Sequence, residues 1–105
     1  MKDLTASQIT KTAMRLLENN KCFIWRNNNL AVKGRSFIGL KGVPDIVGFQ
    51  KFTGVAVYCE VKTKSDKFSE YQVNFLNRAK TSGCHCLVAI DQDGEVILKE
   101  WPLHE

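Results

Sequence analysis

A chain of 105 residues, 44% apolar and 25% charged, has room for one domain with one core, and its composition excludes collagen-like, low-complexity and disordered classes. The longest uninterrupted apolar runs, residues 55–59 and 86–90, fall far short of the roughly 18 to 20 residues a helical bilayer span needs, which excludes a transmembrane helix. Net charge is +4 but unevenly placed: residues 21–67 carry nine Lys or Arg against Asp45, Glu60 and Asp66, while the remainder carries six against eight, a modest signal for a polyanionic partner.

Thr5-Ala6-Ser7-Gln8 has the spacing of a capping box, and Ile9, Ala13, Leu16 and Leu17 follow on one helical face, so a helix is predicted over about residues 6–19. Lys2, Asp3, Lys11, Arg15 and Glu18 interrupt this stretch as they would not in a signal peptide, and the expectation is a cytoplasmic protein. Cys22 to Trp25 reads as a short strand. Residues 27–43 follow as a long loop in which Gly34, Gly39 and Gly42 alternate with Lys33, Arg35 and Lys41. Loops of this length in small domains are commonly functional; a solvated loop is the alternative reading. Asp45 to Gln50 and Val55 to Thr63 are predicted to form a hairpin around Lys51-Phe52-Thr53-Gly54.

Ser69 and Gln72 form a second capping box, stapled by Phe68 and Val73, and open a helix that Gly83 ends. Cys84 to Ile90 is almost continuously apolar, as in a strand buried on both faces, and Asp93-Gly94 turns the chain into a last strand, Glu95 to Trp101. The order α-β-β-β-α-β-β implies a single α/β domain over residues 1–105, a mixed sheet flanked by helices. Cys22, Cys59, Cys84 and Cys86 lie in or beside apolar runs and read as reduced core thiols. Cys84-His85-Cys86 lacks the paired second half of a structural zinc site.

In a regular hairpin around that four-residue loop, opposed residues have numbers summing to 105, which pairs Asp45 with Glu60 on one face, with Lys62 two residues further along it. Two carboxylates about 4 Å apart repel by about 4 kcal/mol at an effective dielectric near 20, so such a pair takes up a proton or a cation. An all-oxygen pair suits Mg²⁺ or Mn²⁺. Taken singly, Asp after Pro is a common turn residue, and Glu-x-Lys a common surface ion pair worth under about 1 kcal/mol.

The ordered set Gly42-Val43-Pro44-Asp45, Cys59-Glu60-Val61-Lys62 and Phe68-Ser69-Glu70-Tyr71-Gln72 resembles the PD-(D/E)XK nuclease superfamily, and within it the small, often phage-encoded VRR-NUC (virus-type replication-repair nuclease) domains. The likeness runs from about Gly39 to Ile90, and the preceding helix takes the place of the family's first helix. It implies a restriction-endonuclease-like fold. It implies Asp45 and Glu60 as metal ligands with the Val61 backbone carbonyl as a third, Lys62 as the catalytic lysine, Gln72 beside the site, and Mg²⁺ or Mn²⁺ as the ion. Related resolvases carry an acidic ligand early in the first helix, where this chain has Ser7 and Gln8, with Glu18 at the far end; the number of ions is therefore open.

The function so implied is metal-dependent hydrolysis of DNA phosphodiesters, selective for branched DNA such as four-way (Holliday) junctions or flaps, in DNA repair or recombination. Lys62 would position the attacking water or stabilise the transition state. A lysine of pKa near 10.4 would need a shift of about 3.4 units to be neutral at pH 7, which favours the charged role and leaves a general-base role open. Lys33, Arg35, Lys41, Lys64 and Lys67 would grip the DNA backbone. A nuclease-fold module that binds DNA or a partner without cutting is the alternative. A homodimer is expected from the two-fold symmetry of a junction, with the last strand as a candidate surface: Ile97 and Trp101 on one face, Val96 and Leu98 on the other, and Pro102 and Leu103 after it; coverage of both faces within the monomer, or an interface through the first helix, are the alternatives. The setting would be the host bacterial cytoplasm if the chain is phage-encoded.

Overall fold

A computed structural model of the chain describes residues 2–27 and 39–104. Thr5 caps α1 (Ala6–Asn19) reciprocally: its hydroxyl accepts from the Gln8 N–H at 3.1 Å, and the Gln8 side chain accepts from the Thr5 N–H at 2.9 Å. Ile9, Ala13 and Leu17, four residues apart, give the helix one buried stripe. The strands are β1 (Cys22–Arg26), β2 (Ile46–Gln50), β3 (Ala56–Lys62), β4 (His85–Gln92) and β5 (Glu95–Glu100), with α2 (Glu70–Thr81) between β3 and β4. They form one sheet in the order β1-β2-β3-β4-β5, antiparallel except for the parallel β3–β4 pair that α2 connects. This is the mixed α/β sheet expected from the sequence, in the order α-β-β-β-α-β-β of restriction-endonuclease-like folds.

Each helix covers one face. The α1 stripe packs on Ile46 of β2, on Val57, Cys59 and Val61 of β3, and on Leu87 and Ala89 of β4. Side chains alternate along a strand, so Tyr58, Glu60 and Lys62 point to the opposite face, where Leu76 and Ala79 of α2 pack with Cys86, Val88 and Trp101. Strand β4 is thus apolar on both sides, as its sequence indicated. α2 carries Glu70 in its first turn and Arg78 and Lys80 in its last, all complementary to the helix dipole. Asp93 and Gly94 both have positive φ, as a two-residue hairpin between β4 and β5 requires.

The last strand contributes to the core on both sides of the sheet. Val96 and Leu98 pack against the α1 cluster. Trp101, only 9% exposed, is held on the α2 side by an Nε1–H donated to Asn77 Oδ1 at 2.8 Å and by the Phe68 ring at 5.2 Å. Val96, Leu98 and Trp101 therefore contribute to this chain's own core, while Leu103 beyond them is exposed. Alternation shows which residues share a face but not what covers it.

All four cysteines are free thiols; Cys22, Cys59 and Cys86 are buried and Cys84 half-buried. Burial, reinforced by the charges of Glu60 and Asp45, pushes Cys59 up to about 12, and burial pushes Cys86 to about 11, which makes both inert. His85 is engaged by Gln50 Nε2 at 3.2 Å and by Glu100 at 3.4 Å. No helix among the described residues is long and apolar enough to cross a membrane.

Candidate active site

The β2–β3 register puts Ile46 opposite Cys59 and Phe49 opposite Ala56, the same numerical relation that sets Asp45 opposite Glu60 one step further on. The turn closes with the Gln50 N–H donating to the Val55 carbonyl at 2.8 Å. At the other end of the pair, Asp45 is locked on both its backbone and its side chain. Its carbonyl accepts from the Asn27 N–H at 2.8 Å, and its Oδ2 accepts from the Val61 N–H at 2.9 Å. The Pro44-Asp45 segment reaches α2 through Gly42, whose φ of +89° and close approach to the Tyr71 carbonyl leave no room for a Cβ.

Glu60 is 2% exposed and its Oε2 is buried with no hydrogen-bond partner. Burial first, then the hydrogen bond and negative charge of Asp45, push its carboxyl up to about 9, against the smaller opposing pull of Lys62. At neutral pH this carboxyl holds a proton. A buried acceptor left unpaired is costly, and two carboxylates sharing a proton will exchange it for a cation. The residues present therefore fit a divalent ion: two hard carboxylate donors, one with an orphaned oxygen. Among the described residues no cluster of three or more His, Cys, Asp or Glu stands in metal-binding array, so further ligands would be backbone or water.

Lys62, 8% exposed, donates to Gln72 Oε1 at 2.7 Å and to the Lys67 carbonyl at 2.9 Å, with its Nζ 4.7 Å above the Phe68 ring. Gln72 Oε1 also accepts from the Ser69 N–H at 2.9 Å, while the Gln72 N–H donates to Ser69 Oγ at 3.1 Å. A single oxygen thus completes the α2 capping box and orients the lysine. Sequence spacing identified the capping role of Gln72; its nearness to Lys62 was implied only by the family resemblance. Spacing gave no sign of the Lys67 carbonyl, because nothing in side-chain pattern marks a backbone acceptor five residues away.

The basic residues divide. Lys33 and Arg35 lie outside the described residues. Lys41 is exposed, its Nζ 5.0 Å over the Tyr71 ring. Lys64 pairs with Asp3 at 3.4 Å, a surface contact of little energetic weight, and Lys67 is exposed. Gln8 is committed to its own helix cap, on the sheet face opposite Glu60 and Lys62, and does not join them. The sequence reading passed over one feature: Phe23, Trp25 and Phe49 are 55%, 48% and 40% exposed, with the two phenylalanines stacked at 5.3 Å. The i, i+2 spacing of Phe23 and Trp25 was the available signal.

No family model matches the chain. No curated protein matches it in sequence. Among solved structures, a VRR_NUC domain superposes with a TM-score of 0.55 at 24% identity, over 83% of this chain and 85% of that one. Hjc, a Holliday junction resolvase from the archaeal hyperthermophile Archaeoglobus fulgidus, superposes with a TM-score of 0.60 at 18% identity, over 91% of this chain and 75% of that one. The likeness is one of fold: the chain folds as this VRR_NUC domain and this resolvase do.

Proposed function

We propose that this protein is a Mg²⁺- or Mn²⁺-dependent endodeoxyribonuclease that hydrolyses phosphodiester bonds in branched DNA. The observation that carries the reading is the buried, unpartnered Glu60 Oε2 beside Asp45, with Lys62 clamped next to it. Asp45, Glu60 and the Val61 carbonyl would hold the ion. Bound there, it would polarise the phosphate and lower the pKa of a coordinated water. Asp45 is pre-set for this by the Val61 amide. Lys62 has three N–H donors, of which Gln72 and the Lys67 carbonyl take two. The third is available to the attacking water or to a phosphate oxygen as charge develops, at no reorganisation cost.

Lys33, Arg35, Lys41, Lys64 and Lys67 would contact phosphates, setting affinity without reading sequence. Four free thiols accord with a reducing cytoplasm, the host's if the chain is phage-encoded. A homodimer would offer two sites to the two strands of a junction. The exposed rings Phe23, Trp25 and Phe49, on one sheet face, are a candidate surface to join it, as is the last strand. The test is incubation with Mg²⁺ or Mn²⁺ and linear, nicked, flapped and four-way DNA, alongside chelator and the variants Asp45→Asn, Glu60→Gln and Lys62→Ala. Cleavage of branched substrates by the wild type alone, and only with metal, is expected. Binding without cleavage under every metal would assign a binding module instead. Light scattering with and without four-way DNA tests the dimer, which a monomer in both would exclude.

A further inference from the structure

The α2 side of the sheet opens into a cavity of about 330 Å³, lined by the rings of Tyr58, Tyr71 and Phe75, by Leu40, and by the cationic side chains of Lys41 and Arg78. We propose that this cavity receives one unpaired nucleobase adjacent to the scissile phosphate, and so selects branch points over continuous duplex. The inference rests on the nuclease reading and deepens it by naming what the site recognises in its substrate.

Three observations support the assignment. The first is position. Tyr58 precedes Glu60 by two residues on the same strand face, a step of about 7 Å. Tyr71 immediately precedes Gln72, which orients Lys62. A nucleotide following a phosphate held at the carboxylates would need to travel only about one strand step of two residues to reach the Tyr58 wall. The second is chemistry. Aromatic walls accept a base by stacking, and cations at the rim accept its phosphate; the Lys41 ammonium already sits 5.0 Å over the Tyr71 ring. The third is size and rigidity. The volume is at the low end of the roughly 300 to 1,000 Å³ of ligand cavities, which leaves room for one base. The Leu40-Lys41 wall continues into Gly42, seated against the Tyr71 backbone, so the cavity is shaped by the same contact that brings Pro44-Asp45 to the site.

Selectivity follows from the cost of emptying a duplex position. A base in continuous duplex must be unstacked and unpaired to enter, whereas a base at a flap or junction has already lost part of that stabilisation.

The experiment uses a flap DNA carrying 2-aminopurine at the nucleotide next to the branch, in excess chelator so that nothing is cut, with wild type, Tyr71→Ala, Tyr71→Phe and Arg78→Ala. Tyr71 is 56% exposed, so its replacement leaves the fold intact, which a thermal melt checks. Wild type and Tyr71→Phe should change the 2-aminopurine emission, and Tyr71→Ala should abolish that change. Tyr71→Ala should also weaken flap binding about tenfold while leaving duplex binding as it was. Arg78→Ala should weaken flap binding more than duplex binding. Equal loss of flap and duplex affinity in Tyr71→Ala, or unchanged affinity when the branch nucleotide is abasic, would overturn the proposal. Because these readouts need no cleavage, an inactive protein that still captures the base refutes the nuclease reading and leaves the cavity assignment standing.

Discussion

Glu60→Gln should make the metal-free protein more stable while removing its activity. The native carboxyl is raised to about 9 from an ordinary value of 4.5, so the folded state binds its proton more tightly than the unfolded state. Such a group stabilises most below pH 4.5, and its contribution is lost as pH rises toward 9. At pH 7 about 2.5 units separate the solution from the unfolded value, which at about 1.4 kcal/mol per unit amounts to a loss of about 3 kcal/mol. Burial at 2% exposure means little solvent screening to reduce it. Glutamine keeps the shape of the protonated acid and has nothing to ionise. Urea denaturation in excess chelator should therefore show the variant's advantage near zero at pH 4.5, about 3 kcal/mol at pH 7, and larger at pH 8.5. Stability curves of the two proteins that run parallel across this range would refute the account of a carboxyl held protonated by burial and by Asp45.

The same proton governs metal binding. Apparent affinity for Mn²⁺ should rise about tenfold per pH unit between roughly pH 5 and 9, followed by calorimetry, and saturating Mn²⁺ should stabilise the wild type by about 2 to 3 kcal/mol but not Glu60→Gln. Gln72→Ala should lower the single-turnover cleavage rate by about 10- to 100-fold at unchanged DNA affinity, because it frees Lys62 without touching the backbone grip. Gly42→Ala should cost more than about 1 kcal/mol in urea denaturation, since a Cβ there meets the Tyr71 backbone at a positive φ. Lys33, Arg35 and Lys41 changed together to Ala should flatten the salt dependence of DNA binding by up to about three counterions, read from log affinity against log salt.

What the sequence made legible was local. A four-residue loop between two alternating strands sets the hairpin register, and with it the meeting of Asp45 and Glu60, because a one-residue slip would turn every core residue of β3 outward. Both capping boxes form as their spacing requires. Contacts between distant segments left no such trace. Gly42 against Tyr71, Trp101 against Asn77 and the Lys67 carbonyl under Lys62 each join parts of the chain that only the folded backbone brings together. By the same limit, alternation in the last strand did not reveal that Val96 and Leu98 pack with the α1 cluster.

The shared oxygen of Gln72 ties the working geometry of Lys62 to the most easily frayed part of a helix. Ends open at far lower free energy than whole domains, and when the first turn of α2 opens, the Ser69 cap and the lysine clamp are lost in one event. The hydrogen-bonded amide protons of Ser69, Gln72 and Val73 then report on the fraction of molecules in which Lys62 is clamped, which under the proposed nuclease reading is the fraction able to cut. Warming should depress turnover in step with exchange at those amides, well below the temperature at which the sheet itself melts.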